Sequence, residues 1–290
     1  MSAIQDFFSF SDPNVRNVLL GTILLSTSSA MIGVFALLKR KTLISDAVAH
    51  AVLPGTCLAF FLTGEKSSIW LIIAAFITGW LASMAIDAIT AHSKIKQDAA
   101  IAIVASVAFG FGSFLLSMLQ HSGQASQGGL KSFLLGSAAT LLRADVVVLL
   151  WLSGIIILVL CLFFKEFMVI AFDRLFAKSI GLPVKRMDFL FTSLMVLAIV
   201  IGIRAVGVVL MSAMLITPAT TARFWTANIS YIMILAALIA FFSSLSGTFI
   251  SYIIPSMPTG PWIVLIMSLT AYFSFLIAWA YRVFRKKSIE

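Results

Sequence analysis

The sequence predicts an all-α, polytopic integral membrane protein with about nine transmembrane helices, within a range of about eight to ten. Three observations carry that expectation. Of 290 residues, 61% are hydrophobic and 11% are charged, whereas a soluble domain has about 45–50% and about 25%. The mean hydropathy is +1.10. The apolar residues come in runs of about 20, the length that crosses a hydrocarbon core about 30 Å thick, and lack the every-second-residue alternation of a membrane barrel. A soluble fold would have to build its surface from interior residue types, so a soluble enzyme, a nucleic-acid-binding domain and a disordered chain are excluded, and no nucleic-acid partner is expected.

The spans follow in order. The first runs over Asn17–Leu38 and is closed by Lys39, Arg40 and Lys41; the second, Thr42–Thr63, ends at Gly64, Glu65 and Lys66. The third, Ser67–Thr90, is followed by HSKIKQD, and the fourth is Ala99–Leu119. A polar, glycine-containing stretch, Gln120–Gly129, leads to Ser132–Leu142, which is too short to span and reads as re-entrant or interfacial. The fifth span is Asp145–Phe164, and a basic polar segment, Lys165–Asp188, comes after it. Four more complete the set: Phe189–Ile203, Val206–Thr221, Ser230–Ile250 and Trp262–Tyr281, with a basic tail behind them. The whole chain, 1–290, is expected to form one transmembrane domain with a cytoplasmic segment at about 167–187.

Charge orients this arrangement, because cytoplasmic loops collect Lys and Arg. With the N-terminus outside and the C-terminus cytoplasmic, only Arg16, Lys66, Lys131, Arg143 and Arg204 of the 20 basic residues fall outside. Trp70 and Trp262 then lie near outer ends, and Trp225 and Trp279 near inner ends, as interfacial anchors do. The N-terminal segment carries Asp6 and Asp12 but no basic stretch, so the first span is expected to be retained and not cleaved as a signal peptide. Cys57 and Cys161 lie in apolar runs and read as small buried residues, without a disulfide framework or a CxxC metal motif.

Ionisable groups inside a span are costly and point to function. The second span holds two, Asp46 and His50, in ISDAVAHAVLPG. Four residues apart on a helix, they stand about 40° apart around the axis and about 6 Å apart along it, on one face. Counted from Lys41, His50 lies some 13 Å into the membrane, at about 1.5 Å per residue. A carboxylate and an imidazole aimed at one point suit a divalent first-row cation; an intrahelical hydrogen bond that offsets their cost is the other reading. Pro54 removes the donor to the His50 carbonyl, giving a kink or a freed acceptor at that point. Ala47, Ala51 and Gly55 form a small-residue row for close helix packing. Pro218, in the late span, frees the carbonyl of Met214, giving a helix break that could line a cavity or, alternatively, a packing kink. Asp87 lies near the cytoplasmic end of its span, reaching the interface or a cation path, and Asp145 reads as a helix N-terminal acid. His92 and His121 fall in loops.

In FDRLFAKSIGLPVKR, Asp173, Ala177 and Gly181 recur every four residues, so one short helix would present an acid, a small residue and a terminating glycine before Pro183. A solvated loop is the alternative. The chain has no Walker A sequence, no HExxH and no GxSxG. GQASQGGLKS resembles a phosphate loop only superficially, with its glycine and lysine misplaced. Any ATP hydrolysis therefore belongs to another chain.

ISDAVAHAVLPG, FDRLFAKSIGLP and VGVVLMSAMLITPATTAR together resemble the permease subunits of metal-cation ABC importers of the manganese, zinc and iron class, over most of the chain from Lys39 to about Arg223. The resemblance implies two paired permease chains (a homodimer is favoured), cytoplasmic ATPase subunits and an extracellular metal-binding protein. It implies a multi-pass location in a bacterial plasma membrane, embedded in the lipid bilayer. Asp46 and His50 would be transmembrane metal ligands, and Asp173, Ala177 and Gly181 would belong to a coupling helix docking on the ATPase. The cargo would be a divalent cation, manganese being favoured with zinc or iron possible, since oxygen-plus-imidazole ligation without Cys leans to manganese over a thiolate-rich zinc site; no permanently bound cofactor is expected. An ion-coupled secondary metal carrier and an intramembrane enzyme using Asp46 and His50 as acid and base are the rival readings. Co-purification with an ATPase separates the importer from both.

Overall fold

A computed structural model describes residues 12–63, 68–121, 143–254 and 258–287. The Gly64–Lys66 loop, the Gln120–Gly129 stretch beyond His121 and the Ser132–Leu142 piece lie outside the described residues, while Gln120 and His121 belong to the helix before them. The described chain forms eleven α-helices: α1 Pro13–Leu38, α2 Ile44–Thr63, α3 Ser68–His92, α4 Gln97–His121, α5 Arg143–Leu162, α6 Phe164–Phe172, α7 Arg174–Ser179, α8 Val184–Val206, α9 Val208–Trp225, α10 Ile229–Ile253 and α11 Thr259–Lys287. Eight of them, all but α6, α7 and α9, are long and apolar enough to cross a membrane. Helix is the outcome that hydrocarbon enforces, because every backbone N–H and C=O must find its partner within the segment. Large apolar residues such as Phe61, Val107, Trp151, Leu158 and Tyr272 stand on the outside, where a soluble protein would place charge.

The ends are set by local chemistry. Asp12 caps α1, its carboxylate accepting from the Asn14 N–H at 2.8 Å, with Pro13 in the first turn, where its missing N–H costs nothing. Arg40, just past the Lys39 C-cap, takes φ 56° in the left-handed region. Asn228 caps α10 through the Ser230 N–H at 3.0 Å.

The chain divides into two compact units. The first, Met1–Lys39, Ala138–Phe172 and Ala213–Glu290, is built around α1, which packs against α10, α5 and α6. Hydroxyls knit it together: the Thr22 and Thr248 hydroxyl oxygens lie 3.2 Å apart, Ser244 donates to Ser26 at 2.6 Å, and Ser28 donates to Ser153 at 3.2 Å. Lipid supplies no hydrophobic drive between helices, so such bonds and tight packing take its place. The second unit, Arg40–Ser137 and Asp173–Ser212, is built around α2, flanked by α3, α4 and α8.

Three expectations change. The separation of the two late spans falls at Gly207 and not near Arg204: Gly207 has φ 97°, a region that favours glycine, and donates its N–H to the Ile203 carbonyl at 2.8 Å. Pro218 does not break its helix, since α9 runs through it, and Pro54 likewise lies inside a continuous α2. The loss of one N–H therefore ends neither helix. Cys57 is buried as expected, but Cys161 is exposed on α5.

Candidate functional site

Between Ile44 and Cys57, α2 buries every residue except Asp46 and His50. The small row of Ala47, Ala51 and Gly55 explains much of that burial. A Cβ on Gly55 would lie 2.6 Å from the Ala74 carbonyl oxygen, so α3 lies against α2 almost at backbone contact. Val48 packs near Gly79 of α3, and Leu53 and Pro54 near Gly112 of α4. The open face left over carries the two polar side chains, 54% exposed for Asp46 and 30% for His50.

Asp46 lies in the first turn of α2, where the helix dipole favours an acid. His50 follows one turn later. It stands about 9 Å along the helix from Ile44, at about 1.5 Å per residue. The His50 Nε2 lies 3.9 Å from the Asp46 Oδ2. This is too long for a hydrogen bond, so the intrahelical bond is not made. It is close to the spacing of two donors on one cation: at about 2.1 Å each in tetrahedral geometry, the donors stand about 3.4 Å apart. Among the described residues, no third His, Cys, Asp or Glu joins them. The pair therefore offers half of the four ligands that such an ion usually takes.

Other acidic and histidine positions resolve simply. Asp87 accepts from the Lys41 Nζ at 2.9 and 3.1 Å, tying the end of α3 to the turn before α2, and does not meet Asp46 or His50. Asp145 lies in the first turn of α5. His92 is exposed at the end of α3, its Nδ1 3.0 Å from the Ala88 carbonyl oxygen; the side chain of His121 lies outside the described residues.

The 167–187 segment is helical in three pieces, and Asp173, Ala177 and Gly181 do not form a presented face. Asp173 is the N-cap of α7, accepting from the N–H groups of Leu175 at 2.8 Å and Phe176 at 3.0 Å. Ala177 is fully buried. Gly181 lies past the helix end at φ 82°, in the left-handed region, and Leu182 donates to the Ala177 carbonyl at 3.0 Å. A six-residue helix with two capped ends has room for little else. These three residues shape the turn, while Leu175, Phe176 and Ile180 are what it exposes, Leu175 at 77%. Arg174 is anchored by the Asp188 carboxylate. The four-residue spacing concealed this outcome; the signal that was available is the apolar residues within a segment otherwise rich in charge.

A family model described as the ABC 3 transport family matches residues 11–278. The manganese transport system membrane protein MntC of Bacillus subtilis (strain 168) is 46% identical over 266 residues, 92% of this chain; the chain spans 61% of that relative's length. The zinc transport system membrane protein TroC of Treponema pallidum (strain Nichols) is 42% identical over 92% of this chain and 90% of its own. Among solved structures, PsaBC from Streptococcus pneumoniae in complex with Fab superposes with a TM-score of 0.81 at 31% identity, covering 94% of this chain and 95% of that one.

Proposed function

The chain belongs to the ABC 3 transport family, and from that membership we propose that it is the permease subunit of an ATP-driven importer of divalent transition-metal cations. It spans the bacterial plasma membrane with its N-terminus outside and its C-terminus in the cytoplasm, as one transmembrane domain. It pairs with a second permease chain, a further copy of itself being favoured. Separate cytoplasmic ATPase subunits hydrolyse ATP, so this chain is not itself an enzyme, and an extracellular binding protein hands over the metal. Manganese is the favoured cargo, with zinc and iron as alternatives; the relatives are named for manganese, zinc and chelated iron transport.

One observation carries the site: on an otherwise buried stretch of α2, the only two unburied residues are a carboxylate and an imidazole 3.9 Å apart. Facing lipid, they would carry a large desolvation cost. Facing the same helix of a second copy across a two-fold axis, they supply two carboxylates and two imidazoles, a complete ligand set for a cation held transiently and passed on. Asp46 supplies the carboxylate oxygen, and His50 supplies the borderline nitrogen donor. The path needs no thiolate. The short α7 serves as the coupling element, its shape fixed by Asp173, Ala177 and Gly181, and its exposed apolar residues dock on the ATPase.

Radiolabelled manganese uptake, normalised to membrane-inserted protein, tests the site. Asp46→Ala and His50→Ala each abolish uptake while ATPase subunits still co-purify. Near-parental uptake in both variants would move the metal path elsewhere.

A further inference from the structure

We propose that Phe109 is the positioning residue for the His50 imidazole, an aromatic wall on α4 that holds the ring where it ligates a cation together with Asp46. This rests on the metal-site reading above.

The two rings meet edge to face, with centroids 5.4 Å apart and planes at 77°, the arrangement that aromatic quadrupoles favour. Among the described residues, no hydrogen bond fixes the His50 ring. Ligating histidines are ordinarily oriented by a hydrogen bond from the second ring nitrogen. A histidine ring turns about χ2 in a broad, two-fold well, so without such a bond its Nε2 would wander by more than a metal–ligand bond tolerates. The contact with Phe109 takes over that task.

Phe109 is itself 52% exposed, and what places it is the packing of the helix backbone that carries it. α2 and α4 run in step: His50 meets Phe109, Leu53 and Pro54 meet Gly112, and Cys57 Sγ lies 3.9 Å from the Gly112 carbonyl oxygen. Further along, Phe60 and Leu119 share one buried cluster with Leu53 and Cys57. A Cβ on Gly112 would stand 2.7 Å from Leu53 Cγ and 2.9 Å from Pro54 Cδ. The missing side chain therefore lets α4 lie close enough, one turn from Phe109, to bring the phenyl ring onto the imidazole. Pro54 receives a purpose here that its lost hydrogen bond did not suggest, since its ring is part of the surface on which Gly112 rests.

The test titrates Mn²⁺ into the full-length chain, held in lipid nanodiscs with the subunits that co-purify with it and without nucleotide. Loss of the free-ion electron paramagnetic resonance signal reports binding. Phe109→Leu, which keeps apolar bulk and removes the ring, weakens binding about two- to tenfold. Phe109→Tyr, which keeps the ring, stays within about twofold of the parent. In metal-free protein with His92 and His121 replaced by Gln, the imidazole proton resonances of His50 lose their ring-current shift in Phe109→Leu and retain it in Phe109→Tyr. Should Phe109→Leu fail to insert, Phe109→Met repeats the measurement. Parental affinity in the leucine variant, or an equal loss in the tyrosine variant, overturns the inference. Asp46→Ala separates the two levels: if it abolishes binding while Phe109→Leu is silent, only the role of Phe109 falls; if it binds like the parent, the metal site itself falls.

Discussion

Replacing Gly55 with alanine sets two effects of known size against each other. In a helix interior alanine is favoured over glycine by about 0.8–1 kcal/mol. Against this, the new Cβ would lie 2.2 Å from Thr78 Oγ1 and 2.6 Å from the Ala74 carbonyl oxygen. The threonine hydroxyl already donates to that same carbonyl at 3.0 Å, so turning it away gives up a bond. The carbonyl belongs to helix backbone, and relieving it requires α3 to retreat by roughly 0.7 Å along a seam packed at native density. Overpacking of this kind costs about 1–3 kcal/mol, and a clash with backbone belongs in the upper part of that range. The net expectation for Gly55→Ala is a loss of about 1–2 kcal/mol. Gly110 on α4 is the control: a Cβ there meets nothing within 4 Å, so Gly110→Ala collects the propensity gain alone. Thermal unfolding in detergent, followed by the fluorescence of the six tryptophans, should lower the midpoint for Gly55→Ala by about 2–8 °C and raise it slightly for Gly110→Ala. A Gly55→Ala midpoint at or above that of the parent would refute the account of α2 and α3 as helices in near-backbone contact.

Two further outcomes test the remaining assignments. Leu175→Asp or Phe176→Asp should reduce the recovery of co-purifying ATPase at least about tenfold, since a charge buried against an apolar partner is costly, while the chain stays in the membrane; unchanged recovery would remove the docking role from α7. With Cys57 and Cys161 replaced, a cysteine at position 66 should react with an impermeant thiol reagent in intact cells and one at 287 should not; the reverse pattern would invert the orientation.

The spans were legible because hydrocarbon leaves one solution for a long apolar run. α1, α2 and α10 begin and end within a few residues of the limits read from charge and hydropathy. Asp46 and His50 stood out for the same reason, as polar groups where none is cheap. What the sequence concealed depends on neighbours. Arg204 drew attention as a charge between two short runs, yet the helix changes at Gly207, where only backbone torsion matters. Asp173, Ala177 and Gly181 share a spacing but serve as a cap, a buried contact and a left-handed turn, because a helix of six residues ends before a face can develop. Phe109 was invisible for a compositional reason: it is one of 25 phenylalanines, and only the approach of α4 to α2 distinguishes it.

The matched run of α2 and α4 makes this part of the chain intolerant of changes in length. An added residue in the turn between α3 and α4, around Ser93–Lys96, can be taken up by that turn. The same residue added inside α4, before Phe109, would advance everything beyond it by about 1.5 Å and rotate it by about 100°. Phe109, Gly112 and Leu119 would leave α2 together, and a bulky side chain would arrive where Gly112 had been. Length variation among related chains should therefore collect ahead of α4 and avoid its first three turns, a spacing constraint that acts independently of which residues occupy those positions.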